Sequence, residues 1–112
     1  MKKFIVLYQS PTSAEEQMAK APPEQAKAGM EMWMAWSKKA GSAVVDLGAP
    51  LGNAAAVDKS GAPSKGKTQV SGYSIMQAAS LKDLAKILEG HPHFMMPGNT
   101  IEVLEALEMP GM

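Results

Sequence analysis

Apolar positions along this chain keep two periods, and the switches between them divide it into elements. Residues 4–8, Phe-Ile-Val-Leu-Tyr, form a short unbroken apolar run, the pattern of a strand covered on both faces and central in its sheet. Gln9-Ser10-Pro11 closes it. Thr12 and Glu15 have the spacing of a capping box, which predicts a short helix running to Lys20. Pro22-Pro23 breaks that helix and starts another, because proline is tolerated in a first turn and damaging further in.

The second helix, over residues 24–40, is the best amphipathic signal. On a wheel of 100° per residue, Ala26, Gly29, Met30, Trp33, Trp36, Ser37 and Ala40 fall on one side, flanked by Met32 and Met34. Glu24, Lys27, Glu31 and Lys38 take the other side, with Lys27 and Glu31 at the supporting four-residue spacing. Such an arc packs on a sheet, and Trp36 or a flanking methionine is also placed to touch a subunit or ligand. Residues 43–50 read as a strand ending near Pro50, with Asp46 in a mid-strand position that aspartate disfavours. Residues 54–68 show little order in their composition and read as an exposed excursion, a hairpin extension or a lid.

Residues 70–79, Val-Ser-Gly-Tyr-Ser-Ile-Met-Gln-Ala-Ala, organise the rest. Alternation sends Tyr73, Ile75 and Gln77 to one face and Val70, Gly72, Ser74 and Met76 to the other. Gly72 and Ser74 leave volume beside the backbone, so their face either accepts a partner closely or borders a pocket. Ser80 and Asp83 repeat the capping spacing, Leu81, Leu84, Ala85 and Leu88 line one helix face, and Gly90 is placed to stop it. A last strand covers residues 100–107, and residues 108–112 read as a loose tail. The order β-α(α)-β-β-α-β, with right-handed crossovers, predicts an α+β, ferredoxin-like single domain over residues 1–112: a four-stranded antiparallel sheet with its helices on one face. The helix-free face, with Val70, Met76 and Leu104 among its expected members, then calls for a second copy packed sheet to sheet.

Composition narrows the function classes. With 11 basic and 11 acidic residues the formal charge is zero, which removes the electrostatic footprint of a nucleic-acid partner. The opening apolar run is too short for a secretion signal, and no stretch is long enough to span a membrane. The absence of cysteine excludes thiolate chemistry and a disulfide framework and fits a cytoplasmic protein.

His91 and His93 are the only histidines, and imidazole is the side chain best poised for proton transfer near neutral pH. Two residues apart around Pro92, they are expected to point in opposite directions and not to share a metal; no metal site and no cofactor are expected. One reading makes either histidine a cap on the preceding helix C-terminus. The other pairs His91 with Asp46 as an acid–base couple beside Gly72 and Ser74, since a carboxylate accepting the ring N–H raises the basicity of the other nitrogen. Glu102 is a second candidate carboxylate, with His93 and Tyr73 as further ligand contacts.

Several segments carry a resemblance. Val-Ser-Gly-Tyr-Ser-Ile-Met-Gln-Ala at residues 70–78, Ser80-Leu81, Gly90-His91-Pro92-His93, Thr-Ile-Glu-Val-Leu-Glu at residues 100–105, and the spaced set Gly41, Asp46, Gly48, Pro50 and Leu51 resemble the YCII-related family, a branch of the dimeric α+β barrels. Ser60-Gly61-Ala62-Pro63 stands where the DGPF branch of that group carries Asp-Gly-Pro-Phe, so the chain departs from that branch. The resemblance implies a homodimer with His/Asp acid–base chemistry, on small aromatic compounds in some members. The expectation is therefore a small homodimeric, lyase- or isomerase-like enzyme acting on an aromatic or carbonyl molecule, in a pocket on the helix-free sheet face. The alternatives are a non-catalytic dimer binding a ligand or a protein, and a purely structural module with a closed interface.

Overall fold

Cross-strand register decides which side of the central strands is buried. The computed structural model describes residues 1–110. Its elements are β1 (Lys2–Gln9), α1 (Ala14–Lys20), α2 (Pro23–Ala40), β2 (Val44–Pro50), β3 (Ala55–Val57), β4 (Pro63–Lys65), β5 (Val70–Ala78), α3 (Leu81–Leu88) and β6 (Thr100–Glu105), with short 3₁₀ turns at Gly41–Ala43 and Pro92–Met95. β2, β5, β1 and β6 lie in that order in one sheet, every neighbouring pair antiparallel. Two strand–helix–strand units each skip a place in the sheet, which is the ferredoxin-like arrangement.

Phe4, Val6 and Tyr8 of β1 stand opposite Met76, Ser74 and Gly72 of β5, and directly opposed residues share a face. This face meets Trp36 of α2 and Leu84 and Leu88 of α3 in the core. The molecule is only 20 Å through its thinnest direction, room for one sheet and one helix layer. Ile5, Leu7, Tyr73, Ile75 and Leu104 occupy the other, helix-free face, with Leu104 52% and Ile5 40% exposed. Met76, expected there, is fully buried on the helix side. Its alternation with Ile75 is as read from the sequence, but only the pairing with Phe4 tells which way the set faces.

The expected void beside Gly72 is filled by Tyr8. A Cβ at Gly72 would lie 3.4 Å from Tyr8 Cδ2, so the glycine lets the tyrosine ring lean across the strand. Asp46 interrupts the β2–β5 ladder, with register shifts on both sides of it. Its carboxylate accepts the Gly48 N–H at 2.9 Å, a local turn that explains an aspartate inside a strand. Gly48 has φ +82°, and a Cβ there would collide with the Tyr73 carbonyl.

Several expected details shift. The first helix is capped one residue later than predicted, Ser13 Oγ accepting from Glu16 N–H, while the Thr12 N–H donates to Ser10 Oγ. In α2 only Trp36 is buried, and Met30 is 64% exposed; the helix packs on β2 and the two 3₁₀ turns, and its first half overhangs. Trp36 donates its indole N–H to the Ile87 carbonyl at 3.3 Å, tying α2 to α3. Residues 54–66 form the β3–β4 hairpin, with both strands exposed throughout. The last strand stops at Glu105. The end of the expected tail, residues 111–112, lies outside the described residues.

Candidate functional site

Tyr8 begins a buried polar chain on the helix-covered face. Ser74 Oγ donates to the Leu47 carbonyl at 2.6 Å, so its lone pair is left to accept the Tyr8 hydroxyl at 2.8 Å. Burial pushes the Tyr8 pKa up, partly offset by the Ser74 bond. The tyrosine therefore stays protonated and donating.

His91 follows α3, its backbone N–H bonded to the Leu88 carbonyl at 3.0 Å. Its ring is 1% exposed and stands among three aromatic rings: Trp36 at 4.2 Å between centroids, Trp33 at 4.5 Å and Tyr8 at 5.1 Å. Nδ1 accepts the His93 backbone N–H at 2.9 Å, capping the 3₁₀ turn at Pro92–Met95. Burial, reinforced by the neighbouring His93, lowers the His91 pKa to about 4. At neutral pH the ring is uncharged, and because Nδ1 is an acceptor its single proton sits on Nε2. That Nε2 is buried with no hydrogen-bond partner among the described residues. Leaving such a group unmet costs about 1–3 kcal/mol, and native structures do it sparingly.

His93 is a clasp. Its Nε2 lies 2.9 Å from the Gln9 carbonyl and 3.0 Å from that of Thr100, joining the adjoining ends of β1 and β6. The Asn99 side-chain amide donates to the His93 carbonyl at 3.0 Å. The two histidines do not point apart as extended chain would make them: the 3₁₀ turn brings both rings against Tyr8, at 5.1 and 5.2 Å.

The predicted residues are thus divided by the sheet. His91, His93, Ser74 and Gly72 lie on the helix side, whereas Asp46, opposite Ile75, and Glu102, opposite Leu7, belong with Tyr73 on the helix-free side. The structure does not bring His91 to Asp46 or Glu102. A carboxylate also has no place at Nδ1, which already accepts a backbone N–H. The expected pocket beside Ser74 on a helix-free face is not formed, since that serine is fully buried beneath Tyr8 and the helices. Sequence reasoning missed Tyr8 and Trp33 as site residues. The signal for Tyr8 is its pairing with Gly72 across the sheet, which needs the register to be known. Among the described residues no group of three His, Cys, Asp or Glu side chains is placed to hold a metal ion, and no helix is long and apolar enough to cross a membrane.

No protein-family model matches the chain, and no curated protein matches it. Among solved structures it is similar to the 5-chloro-2-hydroxyhydroquinone dehydrochlorinase of Burkholderia phenoliruptrix AC1100 in complex with 2,5-dihydroxybenzoquinone, at 16% identity and a TM-score of 0.49 over 91% of each chain.

Proposed function

We propose that this chain is a YCII-related homodimeric protein of the cytoplasm that takes a small, flat molecule bearing a carbonyl or phenolic oxygen beside His91. The observation that carries the reading is the buried, uncharged imidazole whose Nε2–H has no partner inside a box of Tyr8, Trp33 and Trp36. A donor held without a partner is preorganised for an acceptor atom of a ligand, and aromatic walls favour a planar one. Trp33 is the half-exposed wall, so the ligand enters by displacing its ring.

The chemistry follows from the protonation states. A neutral imidazole that donates from Nε2 polarises a carbonyl as an electrophile; it is not the base that a His–Asp couple would make. Tyr8, kept protonated by burial, stands beside it as a side chain that can supply a proton and take it back. Without turnover the same site serves a ligand-binding dimer. The helix-free face, with Ile5, Leu7, Tyr73, Ile75 and Leu104, takes the second copy.

Both tryptophans of the chain flank His91, so intrinsic fluorescence reports the site directly. Titration with hydroxylated quinones, hydroxybenzaldehydes and cyclic ketones is expected to give saturable quenching by at least one of them, lost in His91→Phe while the circular dichroism is unchanged. No quenching across the panel, or equal quenching in the variant, overturns the reading.

A further inference from the structure

We infer that β6 is a docking edge, which takes an extended peptide with alternating apolar side chains and an acidic residue, laid into the trough between β6 and α3. Among the described residues β6 is the last strand of the sheet and pairs only with β1. The phase of that pairing is given by Ala106, whose N–H donates to the Lys3 carbonyl at 2.9 Å. Bonded and non-bonded pairs alternate along an antiparallel ladder, so residues 100, 102 and 104 also turn their backbone groups toward β1. Ile101, Val103 and Glu105 turn theirs outward, to the free edge.

The side chains of Ile101 and Val103 face the helix layer, being opposite Tyr8 and Val6. They form one wall of a trough of about 500 Å³ whose other apolar residues are Leu81, Ala85, Leu88 and Phe94. The same residues therefore offer free amides at the edge and an apolar surface beside it. A strand added to that edge sends every second side chain into the trough, the combination of main-chain bonding and side-chain pockets that recognises extended peptides. An exposed edge with an apolar flank is otherwise a liability that proteins cover.

Charge selects the occupant. Lys82 and Lys86 stand on the α3 wall one turn apart, against one acid, Glu89. Among the described residues the only ion pair is Lys2 with Glu105, so neither lysine is matched. α3 and β6 run in opposite directions, which places Lys82 near the Val103 end. An acidic residue at that end of the peptide meets both ammonium groups, at a strength that salt weakens.

The probe is a fluorescein-labelled hexapeptide with an N-terminal glutamate followed by alternating valine and threonine. A peptide of the same composition with its valines contiguous is the comparison. Fluorescence anisotropy is expected to show saturable binding of the alternating peptide, at least tenfold tighter than the comparison. Val103→Pro removes an outward N–H without touching the β1 ladder and is expected to weaken binding at least tenfold. The double variant Lys82→Glu, Lys86→Glu, at exposed helix positions that keep the fold, is expected to weaken it at least fivefold and to reverse its salt dependence, binding then rising with salt. The inference is overturned by equal binding of the two peptides or no saturation by either. It is equally overturned if the lysine variant binds as the parent does. If Val103→Pro instead turns a dimer into a monomer by light scattering, the edge belongs to a second copy and the inference also fails.

Discussion

His91 shows how burial sets the chemistry of one side chain. Its pKa falls from 6.5 to about 4, so between those values the unfolded chain takes up a proton that the native state refuses. Stability is fully present above pH about 6.5, declines as the pH falls toward about 4, and the loss is of order 3 kcal/mol. Chemical denaturation across that range is expected to show this slope in the parent and to lose most of it in His91→Phe; equal slopes count against the buried assignment. The Tyr8–Ser74–Leu47 chain makes a second expectation, because its members are not equivalent. Ser74→Ala strands both the Tyr8 hydroxyl and the Leu47 carbonyl and is expected to cost about 1–3 kcal/mol, whereas Tyr8→Phe leaves Ser74 still bonded to Leu47 and costs about 0.5–1.5 kcal/mol. Denaturation midpoints of the two variants check the order. The sequence marks His91 as chemistry-bearing because only two imidazoles exist, but its role depends on Nδ1 being filled by the His93 N–H. That contact comes from a 3₁₀ turn that the pattern Gly-His-Pro-His does not announce.

Elements were legible where a period and its punctuation agree. The run of residues 4–8 predicted a central strand, and Ser80 with Asp83 predicted the start of α3, where Ser80 Oγ accepts the Asp83 N–H at 3.1 Å. Register was not legible, because local alternation separates the two faces of β5 without naming the one that meets the helices. That single unknown moved Met76, Gly72 and Ser74 to the opposite side of the sheet from the one expected. Likewise the apolar arc of α2 overstated its burial, since a helix longer than the sheet it crosses leaves one end unpacked. Two expectations belong at this scale. Gly48→Ala places a side chain at φ +82° against the Tyr73 carbonyl and is expected to cost about 2–4 kcal/mol and to unzip β2 from β5, seen as lost amide protection in β2. Replacing residues 54–66 by a four-residue turn removes the hairpin with its exposed strands and keeps Asn53, whose N–H donates to Glu15; it is expected to leave the thermal midpoint within a few degrees, and a fall of more than 10 degrees contradicts the hairpin's independence.

For the whole molecule, the sheet acts as a partition. One side holds the helices and the aromatic box around His91; the other carries Ile5, Leu7, Tyr73, Ile75 and Leu104. This division lets a second copy cover the helix-free face without blocking the box. Light scattering at micromolar concentration is expected to give a dimer that Ile75→Lys or Leu104→Lys converts to a folded monomer, and a monomeric parent protein contradicts it. Long-range ¹H–¹⁵N correlation of the imidazoles, followed against pH, reaches the central claim most directly. The account predicts that His91 carries its proton on Nε2, with Nδ1 bare, and stays uncharged down to pH about 4. A His91 ring protonated on Nδ1, or titrating near 6.5, would contradict it.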